Sequence, residues 1–328
     1  MTSNVERFSR REFLCTAGAA IAAASFGGLF TRGHQALAQE GRNHRSRSLR
    51  LGHLTDVHVQ PARSAAVGFA QALRHVQSQA DPPKLLLAGG DSIMDALGKS
   101  SGRTKRQWQL WQQVLKDECS LPVEPCIGNH DVWGWNRERS GTTGDEPGWG
   151  KQWALDEFQI EQRYRSFDRA GWHFIVLDSI FPDAETVYQG RLDDEQFDWL
   201  VTDLEATEEQ TPVLVLSHIP ILTVASVESE AHLVENPVER RTYSHQDAKR
   251  IVDLFKQHRN VKLCLSGHLH LTERIEYAGV TYICSGAVCG NWWKGAHIGT
   301  EEGYSIVDLY DDGTVDWQYN DYGWTPPA

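Results

Sequence analysis

The chain has 328 residues, of which 40% are hydrophobic and 10% aromatic, enough to bury a full core as one large domain or two small ones. Its formal net charge is -12. A surface of that sign repels nucleic-acid phosphates, so we expect no nucleic-acid binding. Any phosphate-bearing ligand must therefore be attracted by a local cluster of positive charge.

The first 38 residues resemble a twin-arginine export signal. The pair Arg10-Arg11 precedes an apolar stretch from Phe13 to Phe30, and residues 36–38 form an A-x-A cleavage site. The alternative is an uncleaved membrane anchor, because this stretch is nearly long enough to span a bilayer. Its mild hydrophobicity favours cleavage, so that the mature chain begins near Gln39. We therefore predict an exported protein, periplasmic or extracellular, that is not inserted in the membrane after cleavage.

The rest of the chain divides into a linker and one domain. Residues 39–48 are polar and basic, which is typical of a flexible linker, and residues 49–328 form the predicted domain. Five cysteines remain once Cys15 is removed with the signal. Disulfides between Cys119 and Cys126 or between Cys264 and Cys284 are possible, but their spacing does not require either bond.

Short apolar runs alternate with amphipathic stretches from Leu49 onward, which is typical of strands covered by helices. The runs predicted as strands are LRLGHLT, KLLLAGG, PVEPCIG, WHFIVLDS, PVLVLSH and KLCLSGH. The candidate helices are Ala65 to Gln79, Thr104 to Glu118, Leu192 to Ala206 and His245 to His258. Near the C-terminus, ERIEYAGVTYICSGAV and YSIVDLYDDGTVDWQY alternate with period two, which predicts antiparallel hairpins. The segments Val132 to Lys151 and Leu222 to Tyr243 are predicted to be functional loops.

Carboxylate, amide and imidazole side chains follow five of the predicted strands. In chain order they are Asp56 and His58, Asp91, Asn129 with His130 and Asp131, His218, and His268 with His270. The carboxyl ends of parallel strands share one edge of a sheet, so we expect these residues to converge there. Each motif alone also has a structural explanation as a helix cap, a turn or a buried histidine. Only their combination indicates a common site.

These residue types are metal ligands. Imidazoles, carboxylates and one amide oxygen, without thiolates, suit manganese, iron or zinc. They are too many for one ion, whereas two ions that share a carboxylate would use them all. Such ion pairs, about 3.5–4 Å apart, commonly hydrolyse phosphate esters. Gly90, Gly128 and Gly267 precede ligands, and we expect the missing side chain to let the backbone approach the metals.

The ordered motifs D-x-H, G-D, G-N-H-D, a lone His and G-H-x-H resemble the calcineurin-like metallophosphoesterase superfamily, from about Leu49 to the end of the chain. The resemblance implies an α/β fold, a four-layer α/β/β/α sandwich of two mixed β-sheets flanked by helices. It implies two divalent or mixed-valence metal ions (Mn, Fe or Zn). The first would be held by Asp56, His58 and His270, the second by Asn129, His218 and His268, and both by Asp91. It also implies that His130, steadied by Asp131, acts as a general acid or charge stabiliser.

Two further features refine the resemblance. Purple acid phosphatases carry a tyrosine three residues after the bridging aspartate, where this chain has Met94, so we expect no tyrosinate-ligated ferric ion. The stretch SGAVCGNWWKG, from Ser285 to Gly295, resembles exported bacterial members of the superfamily.

The implied function is metal-dependent hydrolysis of a small phosphate ester by a hydroxide bridging the two ions. With two ionised aspartates, such a centre keeps a charge of about +1, which a diester monoanion neutralises and a monoester dianion exceeds. We therefore predict a phosphodiesterase. The alternatives are a phosphomonoesterase or nucleotidase of the same fold, or a non-catalytic metal-binding interaction module. The sequence does not predict the oligomeric state.

Aromatic residues near the motifs have two explanations. They either pack the loops, which we favour, or form a wall for an aromatic or apolar leaving group. The residues concerned are Trp133, Trp135, Trp149, Trp292 and Trp293. Among the histidines outside the motifs, His297 is expected nearest the site because it follows the tryptophan-rich segment.

Overall fold

The computed structural model describes residues 45–225 and 240–327. The predicted signal of residues 1–38 lies outside the described residues, as do residues 39–44 of the linker and 226–239 of the second predicted loop. Among the described residues, no helix combines the length and the apolar character needed to cross a membrane.

Two mixed β-sheets form the centre of the described chain. The first sheet has the order β13-β12-β1-β2-β3, with β1 Arg47–Leu54, β2 Leu85–Ala88, β3 Val123–Pro125, β12 Gly303–Tyr310 and β13 Val315–Asp321. The second has the order β10-β11-β9-β8-β5-β4, with β4 Arg165–Arg169, β5 Trp172–Val176, β8 Val213–Leu216, β9 Val261–Ser266, β10 Thr272–Tyr277 and β11 Val280–Ser285. A separate hairpin pairs β6 Ile180–Asp183 with β7 Val187–Gly190. The three strands β1, β2 and β3 run parallel, as do β5, β8, β9 and β11.

The helices of the described chain are α1 Ala65–Gln77, α2 Ser101–Glu118, α3 Arg137–Ser140, α4 Gln152–Phe158, α5 Asp194–Ala206, α6 Arg240–Tyr243 and α7 Ala248–Phe255. Of these, α1 and α2 cover the outer face of the first sheet, and α5 and α7 cover that of the second. The start of α5 is fixed by Asp193, whose side chain accepts the backbone N–H of Gln196.

Alternating side chains along the strands build three apolar layers. On β2, Leu85 and Leu87 enter the core between the two sheets, while Leu86 faces the core under α1 and α2. On β8, Leu214 likewise enters the inter-sheet core, and Val215 packs in the core under α5 and α7. This period of two places both faces of each sheet against apolar partners. The predicted four-layer α/β/β/α sandwich is confirmed.

Several elements differ from the sequence prediction. The strands β4, β6 and β7 and the helix α4 were not predicted. Strand β4 has the sequence RSFDR, which shows no apolar alternation because it lies at the sheet edge beyond β5. All cysteines of the described residues are free thiols. Cys264 pairs in register with Tyr282 and Cys284 with Ser266, so these two cysteines are offset along their strands.

Candidate active site

The side chains predicted as metal ligands follow strand ends of both sheets. In chain order they are Asp56 and His58 after β1, Asp91 after β2, Asn129 after β3, His218 after β8, and His268 and His270 after β9. All but His268 expose no more than 2% of their surface. Burial of charged and polar groups is costly unless other groups compensate them, so each of these side chains should have a partner within the cluster.

The carboxylate of Asp91 lies between residues from the two sheets. Its Oδ2 is 3.3 Å from Nε2 of His218, which follows a strand of the second sheet. The same oxygen is 3.5 Å from Nε2 of His58, which follows a strand of the first sheet. Its Oδ1 accepts the backbone N–H of His130 at 2.7 Å. This carboxylate therefore faces ligand groups on two sides.

On one side of Asp91, the structure brings Asp56, His58 and His270 together. Nε2 of His270 is 3.4 Å from Oδ1 of Asp56 and 3.2 Å from Nε2 of His58. Within the described chain, Oδ1 of Asp56 has no hydrogen-bond partner. Buried lone pairs directed at a common point in this way fit a bound cation.

On the other side, the structure brings Asn129, His218 and His268 together. Ligand atoms of Asp91, His218 and His268 lie within 4.8 Å of one another. Oδ1 of Asn129 is 3.1 Å from Nε2 of His218. The donors on both sides are imidazole nitrogens and carboxylate or amide oxygens, which suit a borderline-to-hard cation.

Backbone carbonyls orient three of the imidazole rings. His218 Nδ1 lies 2.8 Å from the carbonyl of Gly89, and His268 Nε2 lies 2.8 Å from the carbonyl of Thr242. His270 Nδ1 bonds to the carbonyl of Gly290. An N–H donated to a carbonyl fixes the tautomer and leaves the opposite nitrogen as an acceptor facing the site. Burial acts to lower the pKa of His218 and of His270, but neighbouring acidic groups outweigh it. Asp91 raises the pKa of His218 to about 9, and Cys289 and Asp56 raise that of His270 well above its usual value, so metal binding at these two rings would release protons.

Backbone strain is concentrated in the same residues. Five of them, none a glycine, have a left-handed backbone with φ between 46° and 71°, namely Asp56, His58, Asp91, His268 and His270. This conformation costs an L-residue about 1–2 kcal/mol. Non-glycine residues retain it only where the surrounding structure enforces it, and such residues cluster at functional sites.

Glycines make room for the ligand residues themselves. A Cβ on Gly128 would lie 2.2 Å from Oδ1 of Asp91, and one on Gly267 would lie 2.2 Å from Oδ2 of Asp56. These distances are too short for any side chain. The glycines were expected to let the backbone approach the metals. In the structure, Gly128 and Gly267 let neighbouring loops pack directly against the carboxylates of Asp91 and Asp56, and the approach of the backbone to the metals stays a prediction.

Burial and neighbouring charges set the protonation of the site. Burial lowers the pKa of His58 to about 3 and that of His268 to about 4, so both rings are neutral, which is the form that binds metals. Burial acts to raise the pKa of Asp91, but the neighbouring His218 and His130 rings hold it well below its usual range. Asp91 is therefore ionised at neutral pH.

Asp131 does not make the contact with His130 that the sequence analysis expected. Its Oδ2 accepts the backbone N–H of Gly128, and its Oδ1 accepts those of Ser92 and Ile93. The buried carboxylate thus ties the loop after β3 to the loop after β2. Two other carboxylates lie beside the His130 ring. Oδ1 of Asp95 is 3.8 Å from Nδ1 of His130, and an oxygen of Asp91 is within 4.8 Å of a ring nitrogen.

The sequence analysis also missed Cys289, which lies beside a predicted ligand. Its Sγ is 3.9 Å from Nδ1 of His270, and the thiol is buried. Burial raises the pKa of this thiol. Both residues follow strand ends, Asp95 in the loop after β2 and Cys289 in the loop after β11. Neither belongs to one of the ligand motifs, so the sequence analysis did not select them.

The tryptophans near the motifs divide into two groups. Trp133 and Trp293 are buried and pack the loops, as favoured from the sequence. Trp292 is only partly buried, and its ring centroid is 4.7 Å from that of His270. His297 lies near the site as expected, with its ring centroid 5.7 Å from that of His270.

A family model described as calcineurin-like phosphoesterase matches residues 49–271. The chain belongs to this family. It is 31% identical to a 3',5'-cyclic-nucleotide phosphodiesterase of Nostoc sp., over 80% of this chain and 89% of the relative. A probable cyclic nucleotide phosphodiesterase of Rhodococcus erythropolis is 26% identical, over 81% of each chain. The fold is similar to that of a dimetal phosphatase from Danio rerio, with a TM-score of 0.60, 14% identity, and coverage of 84% of this chain and 97% of the other.

Membership of the family settles the reaction class. The protein is a hydrolytic enzyme, a metal-dependent phosphoesterase acting on phosphate esters, as the sequence predicted. Three groups of side chains in the described chain have ligand atoms close enough together to hold a metal ion, namely His58 with His270 and Cys289, His58 with Asp91 and His130, and Asp91 with His218 and His268.

Proposed function

We propose that the protein is a phosphodiesterase that hydrolyses 3',5'-cyclic nucleotides. The main structural support is the position of the Asp91 carboxylate between the two sheets. Its Oδ2 lies 3.3 Å from Nε2 of His218 and 3.5 Å from Nε2 of His58. The substrate class is supported by the Nostoc and Rhodococcus relatives, which match about four-fifths of this chain and are named as cyclic nucleotide phosphodiesterases.

In this proposal two metal ions, drawn from Mn, Fe and Zn, bind on the two sides of Asp91. One is held by Asp56, His58 and His270, the other by Asn129, His218 and His268, and Asp91 is shared. The absence of thiols from these seven side chains supports a choice among these ions. When bound, the ions make water nucleophilic near neutral pH and polarise the phosphoryl group.

The protein's own groups position the ester and move the proton. The His130 ring is partly exposed, whereas the ligands around it are buried, so the ring faces the position open to substrate. Its backbone N–H is bonded to Asp91, which keeps the ring beside the site. We assign His130 as the group that gives a proton to the departing oxygen. Asp131 supports it indirectly, because it holds the Gly128 loop through backbone hydrogen bonds.

A phosphomonoesterase or nucleotidase is the second candidate, favoured by the phosphatase with a similar fold. The charge of the site favours a diester. Two dications, the ionised Asp56 and Asp91 and one hydroxide sum to about +1, which the single charge of a diester matches better than the double charge of a monoester.

The test compares cyclic AMP, bis(4-nitrophenyl) phosphate and 4-nitrophenyl phosphate as substrates of the purified protein. We expect kcat/KM to be highest for cyclic AMP and lowest for the monoester. Chelation should abolish turnover, and addition of Mn²⁺ should restore it. Asp91→Ala should lose turnover and bound metal together, because it removes the shared ligand. Preferential turnover of the monoester would refute the proposal.

We also propose export through the twin-arginine route with cleavage near Gln39, after which the domain of residues 49–328 acts in the periplasm or outside the cell. The proposal is supported by the Arg10-Arg11 pair and the A-x-A site. Replacement of both arginines by lysine should retain the full-length chain in the cytoplasm. Unchanged secretion of that variant would refute this route.

A further inference from the structure

Trp292 lies at the margin of the candidate metal centre, on the loop between β11 and β12. Its ring centroid is 4.7 Å from that of His270 and 6.1 Å from that of His58. The ring is only partly buried, unlike the neighbouring Trp293, which exposes 1% of its surface. A large ring that is partly open to solvent beside two predicted ligands is not accounted for by core packing.

The position of Trp292 is fixed by its neighbour. Trp293 packs on Gly68 of α1 so closely that a Cβ there would lie 2.2 Å from the indole ring. The indole N–H of Trp293 donates to the carbonyl of His58 at 3.1 Å. Its backbone N–H donates to the carbonyl of Cys289 at 2.7 Å. The loop is therefore anchored both to a helix and to the strand-end segment that carries His58.

This anchoring turns two adjacent tryptophans in different directions. Both have a left-handed backbone, with φ of 49° at Trp292 and 66° at Trp293. Strain of this kind is maintained only where the surroundings impose it, and it is common at ligand-contacting sites. As a result, one indole enters the core while the other stays at the metal centre. A ring held in place before a ligand arrives loses little entropy on binding.

A further aromatic ring borders Trp292. The ring of His297 lies 5.9 Å from that of Trp292 and nearly perpendicular to it, at 80°. Together with the rings of His270 and His58, it makes this margin of the site aromatic, which suits a flat aromatic group of a ligand.

We propose that Trp292 is the stacking surface for a flat aromatic group of the substrate, with His297 at its edge. The inference rests on the proposed function, in which that group is the nucleobase of a cyclic nucleotide. Every base has a π-face, so stacking on an indole tolerates different bases. Trp292 therefore determines affinity for cyclic nucleotides as a class, and adenine and guanine forms should be bound comparably.

The test removes the indole ring from the protein and, in a separate experiment, the base from the substrate. Trp292→Ala should lower kcat/KM for cyclic AMP about 5- to 100-fold, mainly through KM, which is the usual effect of losing one base-aromatic stack. Trp292→Phe should recover most of the loss. The abasic analogue, a ribose 3',5'-cyclic phosphate, should be hydrolysed equally by the wild type and both variants. An equal loss on both substrates would overturn the proposal, because it would indicate a structural role.

Trp199→Ala is the matched control. Trp199 is also partly buried and packs against Tyr164, with centroids 4.9 Å apart, but it lies on α5 behind the second sheet. It should not change KM for cyclic AMP. A similar rise in KM in this control would assign the effect to general loosening of the fold and would overturn the role of Trp292.

A binding measurement separates this inference from the proposed function. Titration of the metal-loaded protein with AMP and with ribose 5-phosphate measures the contribution of the base without any turnover. We expect AMP to bind more tightly to the wild type and the difference to vanish in Trp292→Ala. If the wild type fails to hydrolyse cyclic AMP but this pattern appears, the proposed substrate is wrong and the stacking surface stands. Equal affinities of the wild type for the two compounds would overturn the stacking surface.

Discussion

At the scale of single residues, the site consists of buried carboxylates and imidazoles. Each buried charge is compensated by its neighbours in the cluster. Asp56 and Asp91 are buried carboxylates that face buried imidazoles, and Oδ1 of Asp56 has no hydrogen-bond partner among the described residues. His130 differs from them, since its side chain is 27% exposed. Burial thus distinguishes Asp56 and Asp91, which are suited to holding metal, from His130, which is open to substrate. The proposed ligand His268 is also partly exposed, so burial alone does not divide the two roles.

His130→Ala should separate these two roles. We expect the variant to keep its metal content while turnover falls about 10²- to 10⁴-fold, the usual contribution of a positioned proton donor. Asp95→Asn should give a smaller loss, because Asp95 acts on substrate only through the ring 3.8 Å away. Elemental analysis and initial rates on cyclic AMP measure the two quantities. Loss of metal from His130→Ala would show that the ring is a ligand.

At the scale of elements, the convergence of the proposed ligands could be predicted from the sequence, but their environment could not. Apolar runs such as KLLLAGG fix where strands end, and parallel strands share an edge, so Asp91 could be placed beside His58. The left-handed backbone of these residues could not be foreseen, because tertiary contacts impose it. Trp292 and Trp293 are chemically identical neighbours, and only the packing of α1 distinguishes them.

Gly68 of α1 provides a test of this packing between helix and loop. Gly68→Ala places a Cβ 2.2 Å from the buried Trp293 ring. Such overpacking should reduce the free energy of unfolding by about 1–3 kcal/mol, although alanine is the better helix former. In the matched control Gly102→Ala on α2, the new Cβ meets only the end of Arg106 at 3.9 Å, so stability should be unchanged or slightly higher. Urea denaturation measures both. Equal stability of the two variants would contradict the packing described.

At the scale of the whole molecule, the site depends on how the two sheets face each other. The first sheet contributes Asp56, His58, Asp91 and Asn129, and the second contributes His218, His268 and His270. The apolar core between the sheets, with Leu87 and Leu214 among its buried residues, holds these two sets of loops at the same edge. In the proposed assignment neither sheet alone carries a complete ligand set, so metal binding should stabilise the packing of the sheets as well as the loops.

His173 lies near the amino end of β5, away from the site, and it connects this strand to β4 and to α5. Its Nδ1 lies 2.7 Å from Asp168 of β4, and its Nε2 lies 2.9 Å from Asp203 of α5. The hydrogen bond with Asp203, with that of Asp168, raises the pKa of His173 above its ordinary value of 6.5. Because the folded state has the raised pKa, it binds the proton more tightly than the unfolded chain. The resulting stability is complete below about pH 6.5 and is lost as the pH rises through the folded-state pKa.

His173→Gln should therefore change how stability depends on pH. We expect the wild type to exceed the variant by about 1–2 kcal/mol in free energy of unfolding at pH 5.5, and the difference to shrink toward pH 9. Asp203→Asn should reproduce this change, whereas Asp168→Asn should have less effect because the Asp168 side chain is 81% exposed and screened by solvent. Urea denaturation at a series of pH values, with metal content held constant, measures the difference. A gap that widens with rising pH would mean that the folded-state pKa of His173 is lowered, which would contradict the ion pair with Asp203.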